Sequence, residues 1–287
     1  KTKYCVVSLP EAEAFIQLLQ LPKMKKEKLN EAIKWEAENH IPLAIEEVYL
    51  DWQIIELLNG QKEEYNDILI GALSKKLVDP YLAVLKKAGL QPLVFEIESL
   101  ATTRALIKND FSSKPVMIID LGARRTSFII FAGRTVHFTA SLPISNTFLI
   151  KEIAQSLNID LVEAQRLKFE AGLKDGKIFR ALLPCLTDLV AKIKKYSEFY
   201  HTHSVPGHFQ DGEIAKILLC GGGANLEGLP LWLSRELKMV VEIGNPWMNI
   251  LSFPAERIPE LPYEQAIAFT TALGLALRGI NLSQEQC

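Results

Sequence analysis

Hydrophobic positions in this chain switch repeatedly between a period near two and a period near four, and each switch marks an element. Residues 3–8 and 14–21 are short apolar runs joined by a turn and read as strands. Leu29, Ile33 and Ala37 then recur at i, i+4 and i+8, with lysines and glutamates on the other faces, which predicts a helix over 23–40. Ile41-Pro42 ends it, because proline cannot continue a helix. Residues 47–57 and 65–73 read as strands around a turn at 58–61, and 75–88 as a helix stopped by Gly89. A short strand at 93–97 runs into a helix over 99–108, and the polar stretch 112–115 reads as a boundary. Beyond it come strands at 116–131 and 135–140, a helix near 147–157 and a long helix over 181–200. The pattern closes with a strand and turn at 217–223, a helix at 229–237, a strand at 240–244 and a helix over 264–279. Strands alternating with helices predict an α/β chain.

Two segments about a hundred residues apart carry the candidate chemistry. In the first, apolar runs flank a hairpin tip holding Asp120, Gly122 and Thr126. Backbone amides bared at such a tip can hold phosphate, and a carboxylate beside them can hold a hydrated Mg²⁺. In the second, an apolar run ends at Gly221, Gly222 and Gly223, followed by Ala224. Consecutive glycines let a planar ring or a phosphate approach the main chain. A tight strand-to-helix connection would want the same glycines, and Asp-x-Gly is also an ordinary turn.

Composition narrows the partners. With 287 residues, 48% hydrophobic and 23% charged, the chain has material for one or two cores. A net charge of −2 gives no reason to expect nucleic acid or an anionic membrane as partner. Cys5, Cys185, Cys220 and Cys287 have no ligand-type spacing and fit a reducing, cytosolic setting. No apolar run reaches membrane-spanning length. The chain opens on Lys1 and enters a strand at once, so an N-terminally truncated chain is expected.

Many short motifs, in order, resemble the type IV pilus assembly PilM family. They include Leu21-Pro22, the run from Trp35 through Glu38 to Ile41-Pro42, Glu46-Glu47-Val48, Asp51 and Ala88-Gly89-Leu90. Glu98, Ala101, Arg104, the Asp120 hairpin, the glycine turn, Gly244-Asn245-Pro246 and the stretch from Leu273 to Arg278-Gly279 continue the match. The resemblance implies an actin-like ATPase (ribonuclease H-like) fold with an FtsA-type, SHS2-like inserted subdomain, its first strands missing. It implies residues 1–92 as the inserted 1C-like subdomain, 93–113 as the remainder of subdomain 1A, and 114–287 as subdomains 2A and 2B. It also implies ATP or ADP with Mg²⁺ at Asp120, Gly122, Ala123, Arg124, Arg125, Thr126 and Gly221–Ala224, with Asp120 meeting Mg²⁺ through water. Glu98 falls where relatives carry a polar residue near the attacking water; a helix-start glutamate favoured by the helix dipole is the alternative. Three departures stand out: no first Asp-x-Gly loop, Pro143-Ile144-Ser145-Asn146 where the family has a glycine pair, and the Arg124-Arg125 pair.

By the same resemblance the chain is a cytoplasmic scaffold, peripheral to the inner membrane, with at most slow ATPase activity. Its implied partners are the cytoplasmic tail of a PilN-like single-pass protein, other pilus platform proteins and further copies in an oligomer. Trp35, Ile41 and Pro42, at a helix end beside Glu46-Glu47, are the expected peptide anchors, with core placement as the alternative. An FtsA-like cell-division scaffold, a type II secretion protein and a sugar kinase of the same superfold are the rival functions. The polar ending Asn281–Cys287 lacks the membrane helix of FtsA, and no sugar-pocket motif is visible. His201, His203 and His208, with Asp211, read as a polar loop rather than a metal site, and Lys23, Lys25, Lys26 and Lys28 as a solvated helix face.

Overall fold

The computed structural model describes residues 2–55, 64–203, 212–251 and 259–285. The turn expected at 58–61, His208, Asp211 and the last two residues of the polar tail lie outside them. Within them three sheets organise the chain.

Strands β2 (Ala14–Pro22), β3 (Val48–Ile55) and β4 (Tyr65–Ser74) form an antiparallel sheet in the order β2-β4-β3. Helix α1 (Lys26–His40) covers one face. Leu29, Ile33 and Ala37, the apolar stripe of its sequence, pack with Leu19, Leu21, Ile68 and Ile70. Each such fully buried aliphatic side chain contributes about 1.5–3 kcal/mol. Ile41, the first residue beyond α1, enters the same core and caps the helix through its amide to the Ala37 carbonyl.

Strand β1 (Tyr4–Leu9) does not join that sheet. It pairs in parallel with β5 (Gln91–Ile97), which follows α2 (Lys75–Lys87). The strand pairing therefore separates 14–74 from the β1–β5 pair, although residues 1–92 are contiguous in sequence.

The third sheet has the order β10-β9-β6-β7-β8, from β6 (Ser112–Leu121), β7 (Thr126–Gly133), β8 (Thr135–Leu142), β9 (Lys216–Cys220) and β10 (Val240–Ile243). Strands β6, β7 and β8 form an antiparallel meander, while β9 lies parallel to β6 and β10. The period of two sorts its side chains onto two faces. Met117, Ile119, Leu121, Phe128, Ile130, Ile217 and Leu219 face α4 (Asn146–Leu157), α6 (Gly176–His203) and α7 (Leu229–Leu237). Val116, Ile118, Ile129, Phe131, Leu218 and Cys220 face α3 (Glu98–Leu106). Asp120 is in phase with Val116 and Ile118, so its carboxylate falls on the α3 side.

Four elements differ from the sequence expectation. The helix expected over 264–279 is divided into α8 (Tyr263–Ala266), a 3₁₀ turn at Ile267–Phe269 and α9 (Thr270–Glu285). Residues 112–115 are the start of β6 rather than a boundary; Pro115 sits at a register irregularity, where a strand tolerates a missing donor. Helix α5 (Leu161–Glu170) was not predicted. Helix α6 starts five residues before the expected Ala181 and runs through Pro184. Its buried stripe of Ile178, Leu182, Leu186, Leu189 and Ile193 outweighs the local cost of the proline, about 3 kcal/mol.

Helix α3 crosses α9 (Thr270–Glu285) with almost no side chain between them. A methyl on Gly274 would overlap the Ala101 carbonyl oxygen, and the Thr102 and Thr271 hydroxyls meet at 3.1 Å. Gly274→Ala is expected to force the helices apart and to cost about 1–3 kcal/mol, read as a fall of several degrees in melting temperature. An unchanged thermal melt would show that this crossing is not a constraint.

Candidate functional site

The hairpin between β6 and β7 closes at the pair Leu121–Thr126, leaving Gly122, Ala123, Arg124 and Arg125 at its tip. Helix α4 begins directly beneath. Its Asn146 amide donates to the Gly122 carbonyl at 2.9 Å, and Thr147 to the Ala123 carbonyl at 3.2 Å. Ser145 caps the helix through its hydroxyl, which accepts from the Phe148 amide at 3.1 Å. Residues 143–146 thus form a capped helix start that ties down the hairpin carbonyls. Among the described residues, no hydrogen bond uses the Ala123 or Arg124 amide as donor. The Thr126 hydroxyl and the Asn146 side-chain oxygen are buried without a partner. Free amides and orphaned buried oxygens at one tip fit a bound, hydrated polyanion better than an ordinary turn.

The glycine turn lies alongside because β9 is parallel to β6, with Asp120 beside Cys220. Gly221 has φ +79°, and a methyl there would strike the Asp120 carboxylate. One on Gly223 would approach Leu121 to 2.8 Å. Both glycines are therefore needed by the protein's own packing. Gly222 differs: a methyl there meets only Ala268, at 4.0 Å, so this position has open space beside it. Ala224 is buried in the core below.

Two further carboxyls lie in line with Asp120: Glu98 beside it and Glu11 beside Glu98. Glu98 is the first residue of α3, and its Oε2 accepts from the Glu11 amide at 3.4 Å. Glu11, buried in the link between β1 and β2, returns the bond: its Oε2 accepts from the Ser99 amide at 3.2 Å. This reciprocal clasp uses one of the free amides of the α3 start. Burial holds the Glu11 and Glu98 carboxyls above the ordinary range, and the Glu11 charge adds to the rise at Glu98. Asp120 is pushed up to about 6, first by burial and then by the charge of Glu98. A carboxylate left uncompensated in this way is a cation ligand in waiting.

Arg125 is not part of the free tip: its Nε donates to the Ser141 hydroxyl at 2.8 Å and a terminal nitrogen to the Ser141 carbonyl at 3.2 Å. Arg124 is exposed and has no such anchor. Sequence reasoning missed Glu11, which sits in a polar turn with nothing in its spacing to mark it. It also missed Lys168, which is 3% exposed on α5 and whose ammonium burial pulls down to about 8. One turn further, Gly172 packs against Glu227, in the loop that follows the glycine turn.

A groove of about 690 Å³ opens elsewhere, between the outer face of the β2-β4-β3 sheet and the ledge made by β5 and α3. Tyr49, Asp51, Gln53 and Leu69 line one wall; Phe95, Leu100 and Arg104 line the other. Arg104 is held by both oxygens of Glu96, and Arg278 of α9 lies at the same groove with its Nε buried and unpartnered. Of the three expected anchors none lines this groove. Ile41 is core, Trp35 is 63% exposed on α1, and Pro42 is exposed beyond it. His201 and His203 lie in the last turn of α6 rather than in the expected loop, and His208 and Asp211 lie outside the described residues.

The model for the type IV pilus assembly protein PilM matches residues 1–280. The chain belongs to the PilM family. A solved PilM-PilN type IV pilus biogenesis complex is similar over 96% of this chain and 80% of that one, at 30% identity and a TM-score of 0.77. MreB5 of Spiroplasma citri bound to AMPPNP shares the fold over 75% of this chain and 68% of that one, at 14% identity and a TM-score of 0.57. The actin-like fold of this PilM-family chain is established by these likenesses. The cell division protein FtsA of Escherichia coli K12 is 21% identical over 220 residues, 67% of this chain and half of that protein. The chain thus spans about half the length of the curated relatives it matches. FtsA is a distant relative, and the cell-division reading is not favoured. No described helix is long and apolar enough to cross a membrane.

The raised carboxyls set a pH dependence. A carboxyl that holds its proton more tightly when folded stabilises at low pH, and that contribution is lost as pH rises through the folded value. The ligand-free protein should therefore lose stability between about pH 4 and 7 through Asp120, with Glu98 and Glu11 acting in the same direction. Asp120→Asn should raise stability at pH 7.5 by about 1–3 kcal/mol and leave it unchanged at pH 4. Denaturant unfolding at both pH values checks this, and equal effects at the two would refute it.

Proposed function

We propose that this chain is a cytoplasmic scaffold of a type IV pilus or a related secretion machine, held at the inner membrane through a partner. The groove between the 14–74 unit and the β5–α3 ledge receives the short cytoplasmic tail of a PilN-like single-pass membrane protein. The observation that carries this reading is the groove itself, open and mixed in character, in a chain similar along most of its length to a PilM that was solved with PilN. Apolar walls anchor side chains, and Arg278 and the Glu96–Arg104 pair offer polar contacts to a peptide backbone. Residues 14–74 are then the inserted subdomain, β1, β5 and α3 parts of subdomain 1A, and the five-stranded sheet the centre of subdomain 2A. Other platform proteins and further copies of the chain are additional partners in this reading.

ATP or ADP with Mg²⁺ binds at the hairpin and the glycine turn. The hairpin tip and Thr126 face the phosphates, Gly222 leaves room beside the nucleotide, and Asp120 holds the hydrated ion. The nucleotide supplies differential binding between open and closed arrangements of the two halves, not a fast chemical step. Glu98 fits a positioning role, because its carboxylate already holds the Glu11 amide. Turnover is at most slow.

Gln53 is exposed on β3 at the groove, so Gln53→Trp should fill the groove without unfolding the sheet. Calorimetric titration with a synthetic peptide copying the partner's cytoplasmic tail should show binding lost by about ten-fold or more in this variant. Trp35→Ala, on the exposed face of α1, should change neither binding nor stability by more than about 0.5 kcal/mol. Loss of binding in Trp35→Ala with full binding in Gln53→Trp would move the site to α1.

A further inference from the structure

The two adjacent arginines of the hairpin are not equivalent. Arg125 is folded back onto β8 by two hydrogen bonds to Ser141. Arg124 stands at the exposed tip, and among the described residues no hydrogen bond or ion pair engages it. Around it the carbonyls of Gly122 and Ala123 are taken by α4, while the Ala123 and Arg124 amides stay free. The fully buried Thr126 hydroxyl just behind has no partner. At the base of the same hairpin lies the Asp120 carboxyl, and the charge of Glu98 reaches it. A polyphosphate entering here meets that negative charge, and an ion at Asp120 offsets only part of it. A guanidinium at the tip, forked and always charged, supplies the rest.

We propose that Arg124 is the phosphate-reading side chain of the hairpin and that Arg125 is its structural anchor. Arg124 closes over the phosphate chain of a bound nucleotide and recognises the polyphosphate rather than the base. This rests on the nucleotide reading above and adds to it a residue that sets phosphate affinity.

The test is calorimetric titration of the intact protein with ATP–Mg²⁺ and, separately, with tripolyphosphate–Mg²⁺. Arg124→Ala should weaken both by about ten-fold or more, as expected for a lost charge-assisted contact. Arg124→Lys should recover part of the loss, since it restores charge without the fork. Arg125→Ala, which frees the hairpin from Ser141, should weaken both ligands by clearly less than Arg124→Ala and should lower the melting temperature, which Arg124→Ala leaves unchanged. Wild-type affinity in Arg124→Ala overturns the proposal and leaves the nucleotide site standing. A loss in Arg125→Ala as large as in Arg124→Ala overturns the division of roles. A loss for ATP but not for tripolyphosphate overturns phosphate recognition in favour of a base contact. Absence of binding of either ligand to the wild-type protein overturns the nucleotide reading and this inference together.

Discussion

The arrangement of the cleft depends on one close contact, the Asp120 carboxylate lying against the main chain of Gly221. Parallel pairing of β6 and β9 places Asp120 beside Cys220, and the chain must then turn at Gly221 with a positive φ. No side chain fits there, because its first carbon would occupy the position of the carboxylate. The contact fixes the distance between hairpin and glycine turn, and with it the width of any ligand site between them. It also encloses Asp120 so that its charge is poorly solvated. The same constraint thus sets the spacing of the two turns and raises the proton affinity of the Asp120 carboxyl.

Helix α3 carries this constraint across the molecule. Its first residue, Glu98, brings a second negative charge to Asp120, and Leu100, Thr103 and Arg104 form the wall of the groove. On its other side α3 meets α9 nearly backbone to backbone at Ala101 and Gly274. A helix held that closely cannot tilt without opening a void or a clash, so it serves both sites as a rigid partition. The clasp between Glu11, Glu98 and Ser99 ties the start of this partition to the link that leads into the 14–74 unit.

Much of the fold was legible because its signals are local. The stripe of Leu29, Ile33 and Ala37 is the face that α1 buries, and the apolar runs flanking Asp120 are β6 and β7. Where the sequence misled, a long-range term outweighed a local one. The helix expected from Ala181 begins at Gly176, because Ile178 is buried with Leu182, Leu186, Leu189 and Ile193 against the large sheet and extends the stripe by a turn. Ser112–Pro115 is polar and reads as a boundary, yet Ser112 already pairs with Gly133 of β7 across a register irregularity, and β9 joins only from Val116. Ile41 looked like a groove anchor since it follows a helix end, but its side chain completes the core beneath α1. Asp120 and the glycines were visible as turn chemistry, whereas Glu11 became interesting only once β1 was seen to pair with β5 and not with β2.

The groove could not be read from the sequence for a related reason: it belongs to no single element. Its walls come from β3, β4, β5, α3, the β7–β8 turn and α9, gathered from the length of the chain. The two units touch through a small apolar cluster of Leu9, Leu73, Val78 and Ile97. Beyond that cluster the surfaces diverge, and polar groups such as Asp51, Gln53 and Arg278 keep them from collapsing onto one another, because closing the gap would strand those groups without water. A peptide that satisfies these groups with its backbone, while filling the apolar walls, removes both objections at once. On the proposed reading, the gap between two well-packed units persists because a peptide, rather than either unit, completes it.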